Sequence, residues 1–142
     1  MYEDITGRII GSAMKVHSAL GNGFREVIYQ RALEIEMLYD KLSFKKEMEM
    51  PIYYRDKLIG KQRVDFFVEE KIIVEIKAIS ELEDSHFAQA INYLEVYNTE
   101  IGLLINFGAQ SLDFKRIHNN KLINKKIGKN NYTDIQKRAC NE

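Results

Sequence analysis

The run Ile101-Gly102-Leu103-Leu104-Ile105-Asn106-Phe107 is apolar nearly throughout. A strand with one wet face would alternate polar and apolar residues, so this segment reads as a strand buried on both faces. It follows a helical stretch from about Ser85 to Tyr97, with Phe87, Ala90, Ile91 and Leu94 on one face and His86, Gln89 and Tyr93 on another. Before a loop at Ser80 to Asp84 lie two strand-like runs, Arg63 to Val68 and Ile72 to Lys77, joined by a short polar turn at Glu69-Glu70-Lys71. Residues Phe44 to Ile59 read as two short strands around the chain's only proline, Pro51, with Ile52-Tyr53-Tyr54 before a turn at Arg55-Asp56-Lys57.

The beginning of the chain is helical in pattern. Ile9, Ile10, Ala13, Val16 and Leu20 form one apolar stripe within Ile5 to Leu20. Gly21-Asn22-Gly23 ends that helix, since glycine and asparagine tolerate positive φ, and a second helix runs from about Arg25 to Tyr39. In it Glu26 shares a face with Tyr29 and Leu33, where a glutamate in the first turn can simply complement the helix dipole. Two helices, about three antiparallel strands, a crossover helix and a buried strand predict an α/β sandwich around a mixed central sheet. No internal repeat or low-complexity segment interrupts this order.

The chain has 142 residues, 45% hydrophobic and 30% charged, which fits one domain with a proper core. No apolar run approaches the roughly 20 residues that span a bilayer, and Met1-Tyr2-Glu3-Asp4 lacks the start of a signal peptide. The expectation is a cytoplasmic protein without a membrane partner. Cys140 is the single cysteine, so an internal disulfide and a cysteine-rich zinc site are excluded. The net charge of zero argues against coating nucleic acid by bulk electrostatics. Its distribution is uneven, however. From Asn119 onward six basic residues face two acidic ones, which sets 119–142 apart as a basic C-terminal extension behind a main domain at 1–118. A second basic cluster, Lys45, Lys46, Arg55, Lys57, Lys61 and Arg63, flanks the two charged strands.

Asp65 and Glu75-Ile76-Lys77 sit at facing ends of those strands. Glu75 and Lys77 project to one side and Val74 and Ile76 to the other. If the hairpin closes, Asp65 converges on the polar pair. Burying a carboxylate or an ammonium unpaired is costly, so two acids and a lysine at strand positions suggest a site for a metal and a phosphate. The competing reading is a solvated hairpin face with cross-strand ion pairs.

The segment Gly23-Phe24-Arg25-Glu26-Val27-Ile28-Tyr29 resembles the signature of the GxxExxY family, itself similar to the PD-(D/E)xK nuclease superfamily. Val16 to Gly23, Asp65, Val74-Glu75-Ile76-Lys77-Ala78, Gln89-Ala90-Ile91-Asn92-Tyr93-Leu94 and Gly102 to Gly108 follow in that family's order, covering roughly residues 5 to 118. The resemblance implies a restriction-endonuclease-like α/β/α sandwich, with a mixed central sheet flanked by helices. It implies Asp65 and Glu75 as paired metal-binding carboxylates, Lys77 as the catalytic lysine, and Glu26 as the early-helix acid that completes the metal shell. Gln89 and Tyr93 match the QxxxY motif of RecB-like branches, where they position substrate or active-site groups. Val64 stands where the superfamily's name puts a proline.

The expected activity is hydrolysis of phosphodiester bonds in nucleic acid, DNA before RNA, with Mg²⁺ or Mn²⁺. Mg²⁺ prefers oxygen ligands and keeps several waters, which suits a few carboxylates plus a scissile phosphate. Lys77 would orient or help deprotonate the attacking water, or stabilise the anionic transition state. The alternative is a non-catalytic module that binds nucleic acid or protein on the same fold. Full retention of the Asp, Glu and Lys set argues against it. A homodimer or a protein partner is compatible with the sequence, and Tyr53, Tyr54 and Tyr97, expected to be exposed, suit base stacking or an interface equally. His17, beside the first apolar stripe, reads as a structural histidine. His86 reads as surface-placed or site-facing, and His118 carries no pattern.

Overall fold

The computed structural model describes residues 2–126. The first apolar stripe becomes helix α1, Tyr2–Leu20, and the second becomes α2, Glu26–Tyr39. Between them Gly21 adopts φ +74° and its N–H closes on the His17 carbonyl at 2.8 Å, which terminates α1 with a residue free to adopt that φ. Strands β1 (Phe44–Tyr54), β2 (Lys57–Val68) and β3 (Ile72–Lys77) follow, then helix α3 (Asp84–Tyr97), β4 (Ile101–Asn106) and β5 (Asp113–His118). A further helical stretch occupies 120–126.

The five strands form one sheet in chain order, antiparallel except for the parallel pair β3 and β4 that α3 connects. Parallel neighbours need a crossover, and α3 supplies it. Ile9, Ala13, Tyr29, Leu33 and Met37 pack with Phe66, Val74, Ile76, Leu103 and Ile105 on one face of the sheet. On the other face Ala90, Leu94 and Tyr97 of α3 cover Val64, Ile73 and Leu104. Neighbouring residues of β3 and β4 therefore enter different cores, and all six residues of β4 are buried. This is the α/β sandwich around a mixed sheet that the order of elements predicts, in the α/β/α layering that the resemblance implies.

Three details differ from the sequence expectation. The segment around Pro51 is one continuous strand rather than two. Pro51 lies on β1, at the sheet edge, where a missing N–H donor is tolerated. The chain reverses at Arg55 and Asp56, both at positive φ (47° and 63°), within the turn expected at Arg55-Asp56-Lys57. Tyr97 is buried, at 7% exposure, because it is the last inward residue of α3, whereas Ile91 is turned outward at 37%. Tyr53 and Tyr54 are exposed as expected.

Of the basic C-terminal extension, only 119–126 is described. Asn119 is buried, its N–H bonded to the Glu100 carbonyl, while Lys121 pairs with Glu95 at 3.3 Å and Lys126 with Glu100. Lys125 is exposed on the same helical stretch, and the charges beyond 126 and Cys140 lie outside the described residues. No helix among the described residues is long and apolar enough to cross a membrane.

Candidate active site

Asp65 stands where β2 parts from β3. The ladder between them runs only from Phe66 opposite Val74 to Val68 opposite Ile72. Beyond it the freed amides are taken up by side chains: the Ile76 N–H donates to Asp65 Oδ2 at 2.7 Å, and the Asp65 N–H donates to Glu75 Oε1 at 3.3 Å. Buried backbone amides need acceptors, so the two carboxylates close the gap that the diverging strands open. Glu75 is buried on the α3 side of the sheet with Ile73, Ala90 and Leu94 around it, while Val74 and Ile76 enter the core beneath α1 and α2. Val64, at the position of the superfamily's proline, is fully buried and pairs with Met48 of β1.

Glu26 is brought to this point by its neighbours. It is the first residue of α2, and Tyr29, one turn on, is fully buried. The Tyr29 hydroxyl donates to the Gly21 carbonyl at 2.6 Å and accepts from the Phe24 N–H at 3.1 Å, and its ring stacks on Phe107 with centroids 4.7 Å apart. The loop between the helices is thereby tied to the core at the end of β4. Gln30, the next residue along α2, donates to Asp65 Oδ1 at 3.2 Å.

A third tie fixes the end of β3. Asn106 is fully buried; its Oδ1 accepts from the N–H groups of Ile79 and Gly108, each at 3.0 Å, and its Nδ2 donates to the Ile79 carbonyl at 2.9 Å. The Phe107 N–H bonds the Lys77 carbonyl at 2.8 Å. A Cβ on Gly108 would lie 2.3 Å from the Ile79 oxygen, so only glycine fits against this loop. Lys77 thus leaves β3 from a backbone clamped on its C-terminal side.

The electrostatics follow from this packing. Burial, then the neighbouring Asp65 and Glu26 charges, push the Glu75 carboxyl up to about 8, against the opposing pull of the Asp65 N–H and Lys77. Burial also raises Asp65, opposed by the Ile76 hydrogen bond, Lys77 and Arg63 and reinforced by Glu47. Glu26 is raised by burial and by Asp65, with Lys77 opposing; it stands exposed at the rim, where water screens it. Three acids thus share the field of one lysine. Tyr93 on α3 is half-buried and raised by burial and by the Glu75 and Asp65 charges, with a side-chain hydrogen bond to Gln62. The Tyr97 hydroxyl, one turn on, lies 2.9 Å from the Met48 carbonyl and 2.7 Å from that of Gln62, and is pushed up to about 12, first by burial.

The structure therefore brings Glu26, Asp65, Glu75, Lys77 and Tyr93 into one electrostatic neighbourhood and leaves Gln89 exposed on α3. His17 is tied to the Ala109 carbonyl at 3.0 Å, and His86 Nδ1 accepts from the Glu83 N–H at 2.8 Å in the cap of α3. His118 is exposed. Gln30, Asn106, Gly108 and the hydroxyl of Tyr97 escaped the sequence reading. Gln30 carried one signal, its place a turn after Glu26; the polar Asn106 inside an apolar run carried another.

Among the described residues no three His, Cys, Asp or Glu side chains are already drawn together tightly enough to hold an ion. The donor set nonetheless suits a hard dication. All three carboxylates are raised by burial, Glu26 also by the Asp65 charge and Glu75 by those of Asp65 and Glu26, so a dication among them would offset that repulsion, and their oxygens are the ligands Mg²⁺ prefers.

Residues 3–117 match the family model of the PD-(D/E)XK nuclease superfamily, most of the chain. The chain belongs to the PD-(D/E)XK nuclease superfamily. Its five-stranded mixed sheet with helices on both faces has the superfamily's restriction-endonuclease-like fold. The crystal structure of SSO0001 superposes with a TM-score of 0.53 at 23% identity, over 82% of this chain and 59% of that one, a likeness of fold. This chain thus spans less than two thirds of that structure. No curated protein matches the sequence. Members of the superfamily generally hydrolyse phosphodiester bonds, typically with divalent metals such as Mg²⁺ or Mn²⁺.

Proposed function

We infer that this PD-(D/E)XK domain is a GxxExxY-type nuclease that hydrolyses phosphodiester bonds in nucleic acid, DNA before RNA, with Mg²⁺ or Mn²⁺. The observation that carries the reading is the interlock of Asp65 and Glu75 through each other's strand backbones, with Lys77 beside them. Asp65, Glu75 and Glu26 would hold the ion. When bound, the dication supplies the positive charge that polarises the phosphate and acidifies water.

The chain's own groups do the rest. Asp65 is held by the Ile76 N–H and the Gln30 amide, so its orientation does not depend on the ion. Lys77 stabilises charge on the phosphoryl oxygens or orients the attacking water. Tyr93, held near Glu75 by α3, positions substrate. Gln89, exposed a turn earlier on that helix, is assigned to the same task on the entering strand. The rival reading, a binding module without catalysis, draws on one observation: the three acids are not yet gathered as a ligand set among the described residues.

Cleavage of supercoiled, linear duplex and single-stranded DNA and of RNA, with Mg²⁺ or Mn²⁺, tests the proposal. Metal-dependent cutting by the wild type, abolished in Asp65→Ala and in Lys77→Ala, is the expected result. No cutting of any substrate and no thermal shift with metal would favour the binding module.

A further inference from the structure

Strands β1 and β2 are 11 and 12 residues long, against 6 for each of the other three. The surplus is paired only within itself, because β2 joins β3 no earlier than Phe66. The base of this two-stranded ribbon is anchored. Met48, Met50 and Val64 pack toward α3, and the Tyr97 hydroxyl reaches the carbonyls of Met48 and Gln62. Beyond them the ribbon is exposed on both faces: Tyr53 61%, Tyr54 63%, Leu58 54% and Ile59 64%. A register shift between Ile52 and Tyr53 leaves Ile59 unpaired and adds twist.

The same segment, 51–61, carries Arg55, Lys57 and Lys61 against the single acid Asp56, in a protein of zero net charge. None of the three cations has an ion pair among the described residues. The Arg55 guanidinium lies 5.9 Å from the centre of the Tyr54 ring. An isolated ribbon of this kind is marginal in water and its edge is open. Two copies laid together would oppose like charges. An anionic polymer with flat apolar rings complements both the cations and the tyrosines, since bases stack on aromatic side chains without regard to sequence.

We propose that the 51–61 ribbon is a nucleic-acid grip, its cations on phosphates and its tyrosines on bases, holding the strand that enters the site at Asp65. This rests on the phosphodiesterase reading and adds the element that binds the substrate. At about 3.4 Å per residue, Lys61 and Lys57 lie roughly 14 and 27 Å along β2 from Asp65, or about four to eight nucleotides at duplex rise.

The test is fluorescence anisotropy in chelator, with a labelled DNA of about 30 nucleotides, single-stranded and as duplex, several times the proposed reach. The proteins are the wild type, Tyr53→Ala/Tyr54→Ala, Arg55→Ala/Lys57→Ala/Lys61→Ala, and a charge-matched control elsewhere, Lys15→Ala/Lys71→Ala/Lys115→Ala. Each ribbon variant is expected to bind at least about 10-fold more weakly, and the basic triple to lower the logarithmic salt slope by about 2 to 3. The control should stay within about 2-fold, and thermal melts should show all three folded, because every altered side chain is exposed. Wild-type binding that the ribbon variants retain within about 2-fold overturns the grip. So does light scattering that shows a wild-type dimer becoming a monomer in Tyr53→Ala/Tyr54→Ala, which would make the ribbon a contact between copies. Cleavage separates the two readings: cutting with unweakened ribbon binding overturns the grip alone, and ribbon-dependent binding without cutting supports the grip and overturns the catalytic reading.

Discussion

Strand β2 is two different structures joined at Asp65. From Phe66 to Val68 it is flanked by β1 and β3, and Phe66 and Val68 are fully buried. From Lys57 to Gln62 it has one neighbour, and none of its residues is buried. The acid marks the boundary because a strand leaving a sheet strands its partner's amides, and a carboxylate can accept them. The inner half thus holds a polar group rigidly in a dry place, and the outer half presents side chains to whatever arrives. Chemistry and binding would then be separable along a single strand, and four measurements probe that separation.

The largest effect belongs to the inner end. Asp65→Ala and Lys77→Ala should each lower kcat by about 10²-fold to 10³-fold or more, as removal of a transition-state charge partner does. Single-turnover cleavage with Mg²⁺, alongside circular dichroism to show the fold intact, checks this. Activity within a few-fold of wild type in both variants would remove the site from the inner half.

Glu75 gives the next effect, through pH. Its carboxyl is raised to about 8 in the folded protein, so between its ordinary range and pH 8 the native state binds a proton that the unfolded chain lacks. Stability therefore falls as pH rises through this window, with Asp65 and Glu26 raised in the same sense. In chelator, the melting temperature should drop between pH 5 and pH 8, for a total on the order of a few kcal/mol. Glu75→Gln should flatten that slope and melt higher than wild type at pH 8. A wild-type profile that rises with pH would mean that these acids are paired rather than repelling.

Gly108→Ala comes third. Its Cβ would fall 2.3 Å from the Ile79 carbonyl, backbone against backbone, so the loop after Lys77 must move. A loss of about 3 kcal/mol is expected, roughly 6 to 12 °C for a domain of this size. Thermal melts check it. A drop in cleavage larger than the stability loss accounts for would show that the clamp also aims Lys77.

The sandwich was legible because its signals are long and local. Two amphipathic helices, a buried run at Ile101 to Phe107 and a helix between strands leave few arrangements. Pro51 misled because a proline reads as a break, whereas an edge strand leaves an N–H position unpaired anyway. Tyr97 misled because burial of a helix's last residue depends on what lies beneath it, here the carbonyls of Met48 and Gln62. Of the candidate site, Asp65, Glu75 and Lys77 stood out as charges inside apolar strands. Gln30 and Asn106 did not, since their roles are hydrogen bonds to groups 35 and 27 residues away. A long-range partner leaves no periodicity to read.

The smallest effect tests the comparison most directly, within one strand and with one kind of change. Val64 is fully buried in the cluster under α3, and Leu58 is 54% exposed on the ribbon. Val64→Ala should cost about 2 kcal/mol, from lost burial and an unfilled space. Leu58→Ala, although it removes more carbon, should stay within about 0.5 kcal/mol. Denaturant titration with equal slopes for both variants is the measurement. Equal losses at the two positions would mean that the outer half is packed against something in solution, a second copy of the chain being the obvious occupant, and melting would then depend on protein concentration. Unequal losses leave Leu58 and its tyrosine neighbours as side chains that folding does not need, which is the condition for a surface kept for a ligand.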